Sequence, residues 1–397
     1  MNEIEFIVNR NARSNDKNKI CTTSFSPHIA RSVRRFHESF PAYVPTPLVR
    51  LGGLARYLGV KTVMVKDESR RFGLNAFKAL GTTYALGRII AKRLRLPDDD
   101  LTYAVLTSPE VRRLLQGVVV ATATDGNHGR GLAWAAREMG CRAVVFVPRG
   151  TSAARKNAIR KLGAELVVVP GTYDEAVARA AERSAREGWT LVQDTAWDGY
   201  TEIPETIMQG YLTIMDEVME QTQGVMPGHM LVQCGVGSLA AAMQAYVVEA
   251  GGAMRPVFAV VEPIAAACFF ASIRRNCGCP KTIEGAVRTI MAGLACGTPS
   301  IIAWNILRDY ADIFVACSDA VSVSGMRVLG NPRKGDVAVV SGESGAVTVG
   351  VLVSVTEQQH PPGLKDALAL NEDADVLLIS TEGDTDPASY RRIIGID

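Results

Sequence analysis

Residues 66–81, KDESRRFGLNAFKALG, decide how this chain is read. The β-branched run Thr62, Val63 and Val65 predicts a short strand leading into them. A bend through Phe72, Gly73 and Leu74 follows. Asn75-Ala76-Phe77-Lys78 then opens onto a helix with apolar residues at Leu86, Ile89, Ile90 and Leu94, the spacing of one buried face. Lys78 is therefore expected at a loop-to-helix junction among apolar neighbours. Desolvation and the positive end of the helix dipole both disfavour an ammonium there, so a neutral, nucleophilic amine is expected. Such a lysine suits Schiff-base chemistry. The competing reading is a lysine whose apolar stem carries its charge to the surface.

Working outward, Tyr43-Val44-Pro45-Thr46-Pro47-Leu48 is a stiff extended segment, because residues before proline avoid the helical region. Residues 1–40 are polar and weakly patterned, and read as an arm over the body or over a partner subunit. Residues 118–200 alternate regularly. Strands are expected at Val118–Val120, Ala143–Val147, Leu166–Val169 and Leu191–Gln193, and helices at Gly129–Met139, Ala153–Leu162 and Asp174–Glu187. Continuous apolar strands between amphipathic helices mean a parallel sheet covered on both faces.

From Thr201 the pattern resumes with a helix over Ile207–Val218, the strand Met230–Gln233, a helix over Ala240–Val248 and the strand Pro256–Val261. Helices at 301–309 and 318–330 and strands at Val337–Val340 and Val376–Ile379 complete the reading. The expected fold class is α/β, with two doubly wound βα domains. Residues 1–88 and 201–397 form the large domain, and 89–200 form a smaller one inserted into it.

A chain of 397 residues with 47% hydrophobic and 21% charged residues is an ordinary globular composition with ample core. The formal charge of +2 gives no reason to expect nucleic acid or an anionic membrane as partner. With no run of eighteen apolar residues and no apolar signal core at the N-terminus, a cytoplasmic protein is expected. The eight cysteines are scattered. Cys277-Gly278-Cys279 is too tight for CxxC zinc or redox spacing and has no second half, so no metal site is expected. Most of the cysteines read as small core residues. Cys268 and Cys296, near glycines or turns, are candidates to pair under oxidation.

Four strand ends carry the chemistry. The first, Ala123-Thr124-Asp125-Gly126-Asn127-His128-Gly129, reads either as a plain strand-to-helix connection or as a loop holding an anion at a helix N-terminus, with Asp125 facing a cleft. The second, Gln233-Cys234-Gly235-Val236-Gly237-Ser238-Leu239, has glycines that let consecutive N–H groups form a phosphate cradle. It lacks GxGxxG and the lysine of a P-loop, which argues against a nucleoside triphosphate. The third is Ser341-Gly342-Glu343-Ser344-Gly345, and the fourth is Ser380-Thr381-Glu382-Gly383-Asp384. In open α/β sheets ligands bind beyond such carboxyl ends.

In this order the elements resemble the fold-type II pyridoxal-phosphate enzymes, the group that includes the tryptophan synthase β chain. KDESRRFGLNAFK, TATDGNHGRGLAWAA, QDTAWDGYTEIP, IMQGY, IMAGLACG, GMRVLGNP, SGESGAV and STEGDTD are similar, nearly word for word, to the diaminopropionate ammonia-lyase family. The resemblance implies pyridoxal 5'-phosphate carried by Lys78, with Asn127 on the cofactor's 3'-oxygen. It places the backbone of Gly235, Val236, Gly237, Ser238 and Leu239 on the phosphate. Thr381, with Ser380 the alternate, would face the pyridine nitrogen.

Asp125 departs from the wider group, which has a small hydroxyl residue there, and Asp194 of QDTAWDGY is the second expected active-site carboxylate. The implied activity is α,β-elimination of 2,3-diaminopropionate, D and L, to pyruvate and two ammonia, by a cytoplasmic homodimer. The competing activity is that of a threonine or serine dehydratase.

Overall fold

The alternation resolves into two sheets in a computed structural model that describes residues 4–97, 101–285, 287–357 and 361–396. The strands are β1 (Ile4–Val8), β2 (Leu48–Arg50), β3 (Thr62–Asp67), β4 (Val119–Ala123), β5 (Arg142–Pro148), β6 (Glu165–Val169), β7 (Thr190–Leu191), β8 (His229–Gln233), β9 (Val257–Pro263), β10 (Ile313–Cys317) and β11 (Asp375–Ser380). A four-stranded sheet has the order β6-β5-β4-β7, and a seven-stranded sheet the order β1-β10-β9-β8-β11-β3-β2. The small sheet is parallel throughout, and the large one is parallel except for its two antiparallel edges, β1 and β2.

Three expectations are corrected. Val337–Val340 is not a strand: Val337 and Val340 are 61% and 40% exposed, and Val339 alone of the four is buried. Only one residue of the run meets the core, so β propensity has no sheet to act on. The strand position next to β9 belongs instead to Ile313–Cys317, which the sequence reading passed over and which is buried throughout. Residues 1–40 are more than an arm. β1 pairs with β10, and the helix Pro27–Glu38 buries Val33, Phe36 and His37. Finally, the single helix expected over Ile207–Val218 is two, Glu202–Gly210 and Leu212–Gln221.

That break sits where the lysine-bearing helix, Ala79–Leu94, crosses. A Cβ on Gly210 would stand 2.7 Å from the Leu80 carbonyl oxygen, and one on Gly81 2.6 Å from the Tyr211 ring. Two glycines face to face let the helices touch backbone to backbone.

Beneath the lysine loop lies a buried ion network. Arg71 donates to Glu68 at 2.8 and 2.9 Å and to Glu217 at 2.6 and 2.9 Å. Lys66 donates to Glu217 at 2.6 Å and to the Thr46 carbonyl at 2.7 Å. The four charged side chains are fully buried. Burial opposes ionisation of Glu217, but Arg71 and then Lys66 hold its carboxyl down to about 2. The unfolded glutamate titrates near 4.3, so this stabilisation is complete above that pH and is lost as pH falls through about 2.

Arg71→Met would leave Glu68 and Glu217 with one cation between them. Urea unfolding at pH 7 is expected to show a loss of about 3–5 kcal/mol, the usual consequence of stripping one partner from a buried ion pair. A loss below about 1 kcal/mol, the scale of an exposed pair, would contradict the assigned burial.

Candidate active site

The register β3–β11 sets Lys66 beside Ile379 and Asp67 beside Ser380, so the loops that leave these strands emerge together. They are stapled by backbone bonds. Phe77 N–H donates to the Thr381 carbonyl at 3.1 Å, and Gly383 N–H to the Asn75 carbonyl at 3.1 Å. Phe72 and Asn75 take left-handed backbone angles, φ 50° and 58°, to turn the chain into the lysine helix. Lys78 follows as the residue just before Ala79, its Nζ in a cleft and hydrogen-bonded to an oxygen of Asp194.

This pairing corrects one expectation. Burial does disfavour the Lys78 ammonium, but the Asp194 carboxylate outweighs it, with Tyr211 and Asp125 adding to the pull, and the pKa rises above its ordinary value. In the cofactor-free protein Lys78 is therefore an ammonium, and the charge is stabilised by a residue distant in sequence. Asp194 is correspondingly held below the usual carboxylate range. Burial opposes its ionisation; a protonated His128 ring would overcome that, and the Lys78 ammonium does so. Of these two, Lys78 is the cation at neutral pH, because burial pushes His128 below its ordinary value and leaves it uncharged.

The other oxygen of Asp194 receives Tyr173 Oη at 3.3 Å and Gln193 Nε2 at 3.2 Å. His128 Nδ1 lies 3.7 Å from Asp194, and its Nε2 pairs with the Val192 carbonyl at 2.8 Å.

Asp125 lines the same cleft as Lys78, and its Oδ2 is buried without a hydrogen-bond partner. Burial pushes its carboxyl up, while Lys78 and Arg155 pull it down. Arg155, from the helix Ala153–Arg160, passes beneath Gly126 and reaches Thr385 Oγ1 at 3.2 Å and Glu382 at 3.9 Å.

The remaining expected residues converge on this cleft. Asn127 starts the helix Asn127–Met139 and donates from Nδ2 to Glu382 at 2.6 Å, which leaves its second amide hydrogen for a ligand. Thr381 Oγ1 lines the cleft and accepts from Gln233 Nε2 at 2.9 Å, so its own hydrogen remains to donate. Ser380 turns away and pairs with Ser341 at 2.8 Å. Gly235 through Leu239 form one wall, where β8 gives way to the helix Ser238–Gly251. That helix begins at Gly237 with no side-chain cap, leaving its first N–H groups to a ligand.

Gly237 sits at φ 97°, and a Cβ there would stand 2.3 Å from the Phe269 ring, away from the cleft; a Cβ on Gly235 would stand 3.0 Å from the Gly293 carbonyl oxygen. Cys268 and Cys296 are both buried free thiols.

Several cleft residues escaped the sequence reading. Glu382 is buried and joins Asn127 to the Ser344 N–H at 3.1 Å. Its one sequence signal is its place directly after Thr381 in the STEGDTD run. Tyr211 and Gln233 also line the cleft, each within a quoted run but given no role there, and Tyr173 lines it from outside every quoted run. An amine, an uncapped helix start, a free hydroxyl hydrogen and the orphaned oxygens of Asp125 and Tyr211 fit the polar ends of pyridoxal phosphate. Among the described residues no cluster of potential ligands could hold a metal ion.

Over residues 40–381 the chain matches the profile of the pyridoxal-phosphate dependent enzyme family. The diaminopropionate ammonia-lyase of Salmonella typhimurium is 45% identical over 371 residues, 92% of this chain and 92% of that protein. Its Escherichia coli K12 counterpart is 45% identical over 372 residues, 93% and 92% of the two chains. The solved Escherichia coli diaminopropionate ammonia lyase in complex with an aminoacrylate-PLP azomethine reaction intermediate superposes with a TM-score of 0.89 at 43% identity, covering 99% of this chain and 97% of that one. A processed form of threonine deaminase isoform 2 from Solanum lycopersicum shares the fold at a TM-score of 0.72 and 19% identity, covering 99% of this chain and 97% of that one.

Proposed function

The chain belongs to the pyridoxal-phosphate-dependent enzymes and, among them, to the diaminopropionate ammonia-lyases, and on that premise we propose how its residues divide the work. It is a carbon–nitrogen lyase that converts 2,3-diaminopropionate and one water to pyruvate and two ammonia. The proposal adds that both enantiomers are substrates and that the enzyme is a cytoplasmic homodimer. The observation that carries the two-enantiomer reading is Asp125, a second buried carboxylate with an unpartnered oxygen, in the cleft that holds Lys78.

Pyridoxal phosphate, when bound, supplies the electron sink that makes the Cα proton acidic and lets the β-amine leave. Lys78 is its attachment point. The N–H groups from Gly235 to Leu239 hold the phosphate, Asn127 the 3'-oxygen and Thr381 the ring nitrogen. A neutral hydroxyl there leaves the ring a milder electron acceptor than an aspartate would, which suits elimination at Cβ.

Lys78 Nζ would take the Cα proton of the L isomer, and Asp125 Oδ2 that of the D isomer. Asp194 loses its principal cation when the Lys78 charge moves away. The proton that Lys78 sheds as it becomes a neutral amine would pass along their hydrogen bond to Asp194 Oδ2, where burial favours the neutral acid, and from there to the departing β-amine. Tyr173 and Gln193 hold its other oxygen in place through this change.

Ammonia and pyruvate release from D- and L-2,3-diaminopropionate, threonine and serine, assayed side by side, tests the reading. Both diaminopropionate isomers are expected to be turned over faster than either hydroxy amino acid, with two ammonia per pyruvate. Faster turnover of threonine or serine, with one ammonia per keto acid, would make the protein a dehydratase.

A further inference from the structure

The end of β9 carries a carboxylate that the reaction does not use. Glu262 is fully buried, and its two oxygens accept the backbone N–H groups of Phe269 at 2.9 Å and Phe270 at 2.7 Å. Both belong to the first turn of the helix Cys268–Arg275. That turn lies directly under the Gly-rich loop. Cys268 Sγ is 3.9 Å from the Gly235 carbonyl oxygen, and the Phe269 ring occupies the space that a side chain on Gly237 would need. The two residues that shape the loop from below are thus placed by the turn that Glu262 caps.

Keeping an acid at this position is unfavourable. Burial pushes its carboxyl up to about 8, against the pull of the Phe269 and Phe270 N–H groups. An exposed serine or aspartate could cap a helix at far smaller desolvation cost, and strongly perturbed buried acids concentrate at functional sites.

We propose that Glu262 is a positioning residue for the cofactor phosphate, setting the Gly235–Gly237 loop through the helix turn beneath it. The proposal rests on the reading that this loop receives the phosphate. Glu262→Gln keeps the shape but turns one acceptor into a donor facing a backbone N–H. Glu262→Asp keeps the carboxyl group but withdraws it by one methylene, and serves if the glutamine variant does not fold.

The test measures Kd for pyridoxal phosphate and for pyridoxal, which lacks the phosphate, on resolved apoenzyme. Glu262→Gln is expected to weaken pyridoxal phosphate about tenfold while pyridoxal changes by less than about twofold, with Glu262→Asp falling between. A role in general stability would weaken both ligands alike, and that result, or no change in either, overturns the proposal. Gly235→Val, whose side chain would press on the Gly293 carbonyl, tests the loop itself. If it weakens pyridoxal phosphate selectively and the Glu262 variants do not, only the Glu262 proposal falls. If it leaves pyridoxal phosphate binding unchanged, the loop is not the phosphate site and both readings fall.

Discussion

Lys78→Ala is expected to abolish turnover of both enantiomers. Loss of proton transfer alone removes about 10²–10⁴ in rate for the L isomer. Loss of the covalent anchor affects D and L equally, because attachment precedes any choice of face. The variant also strips Asp194 of the cation that holds it ionised, and Asp125 of one of the two that oppose its burial. Both carboxyls should then titrate higher than in the parent protein. For Asp125, already raised by burial, a further rise means that the native state keeps a proton the unfolded chain releases, so stability of the cofactor-free variant falls as pH rises above the unfolded value of about 3.9. Chemical denaturation of the apo forms between pH 4 and 7 checks this. The parent is expected to be steadier across that window than Lys78→Ala, and parallel curves would contradict the charge pairing.

Asp125→Asn is expected to separate the two isomers. Held flat against a planar cofactor, the enantiomers present their Cα protons to opposite faces. A base must come within about 2.6–3.2 Å of its proton, so Lys78 on one face cannot serve the other without large movement. Activity on the D isomer should fall by about 10²–10⁴-fold while the L isomer loses much less. Asp194→Asn, which removes the partner of Lys78 and the proton for the leaving amine, should impair both. Burial places Asp125 above its ordinary value, so kcat/KM for the D isomer is expected to decline on the acid side from above the usual carboxylate range. Equal losses on the two isomers in Asp125→Asn would make Asp125 a general binding residue.

Much of the site was legible because its parts lie in short runs at strand ends. Lys78, Asp125, Asn127, the loop Gly235–Leu239 and Thr381 all line one cleft, and Asp194 bonds the lysine. The ionisation state of that lysine was not legible. A loop-to-helix junction speaks for a neutral amine, whereas the carboxylate that decides the matter lies 116 residues further along the chain. Sequence order carries no record of a through-space charge. The same limit hid the Lys66–Arg71–Glu217 network, whose members reach across 146 to 151 residues. It also hid Glu382, whose role rests on bonds to Asn127 and Ser344. The exchange of Val337–Val340 for Ile313–Cys317 has another cause. Both are apolar runs of strand length, and only the neighbours β1 and β9 decide which one fills the gap between them.

Every proposed role depends on Lys78 as the attachment point. Reduction of the holoenzyme with borohydride, followed by proteolysis and mass mapping, fixes the cofactor to whichever amine carries it. The pyridoxyl group is expected on Lys78, in the peptide containing Asn75-Ala76-Phe77. A label on any other lysine, or none on a protein that shows full activity, would contradict it.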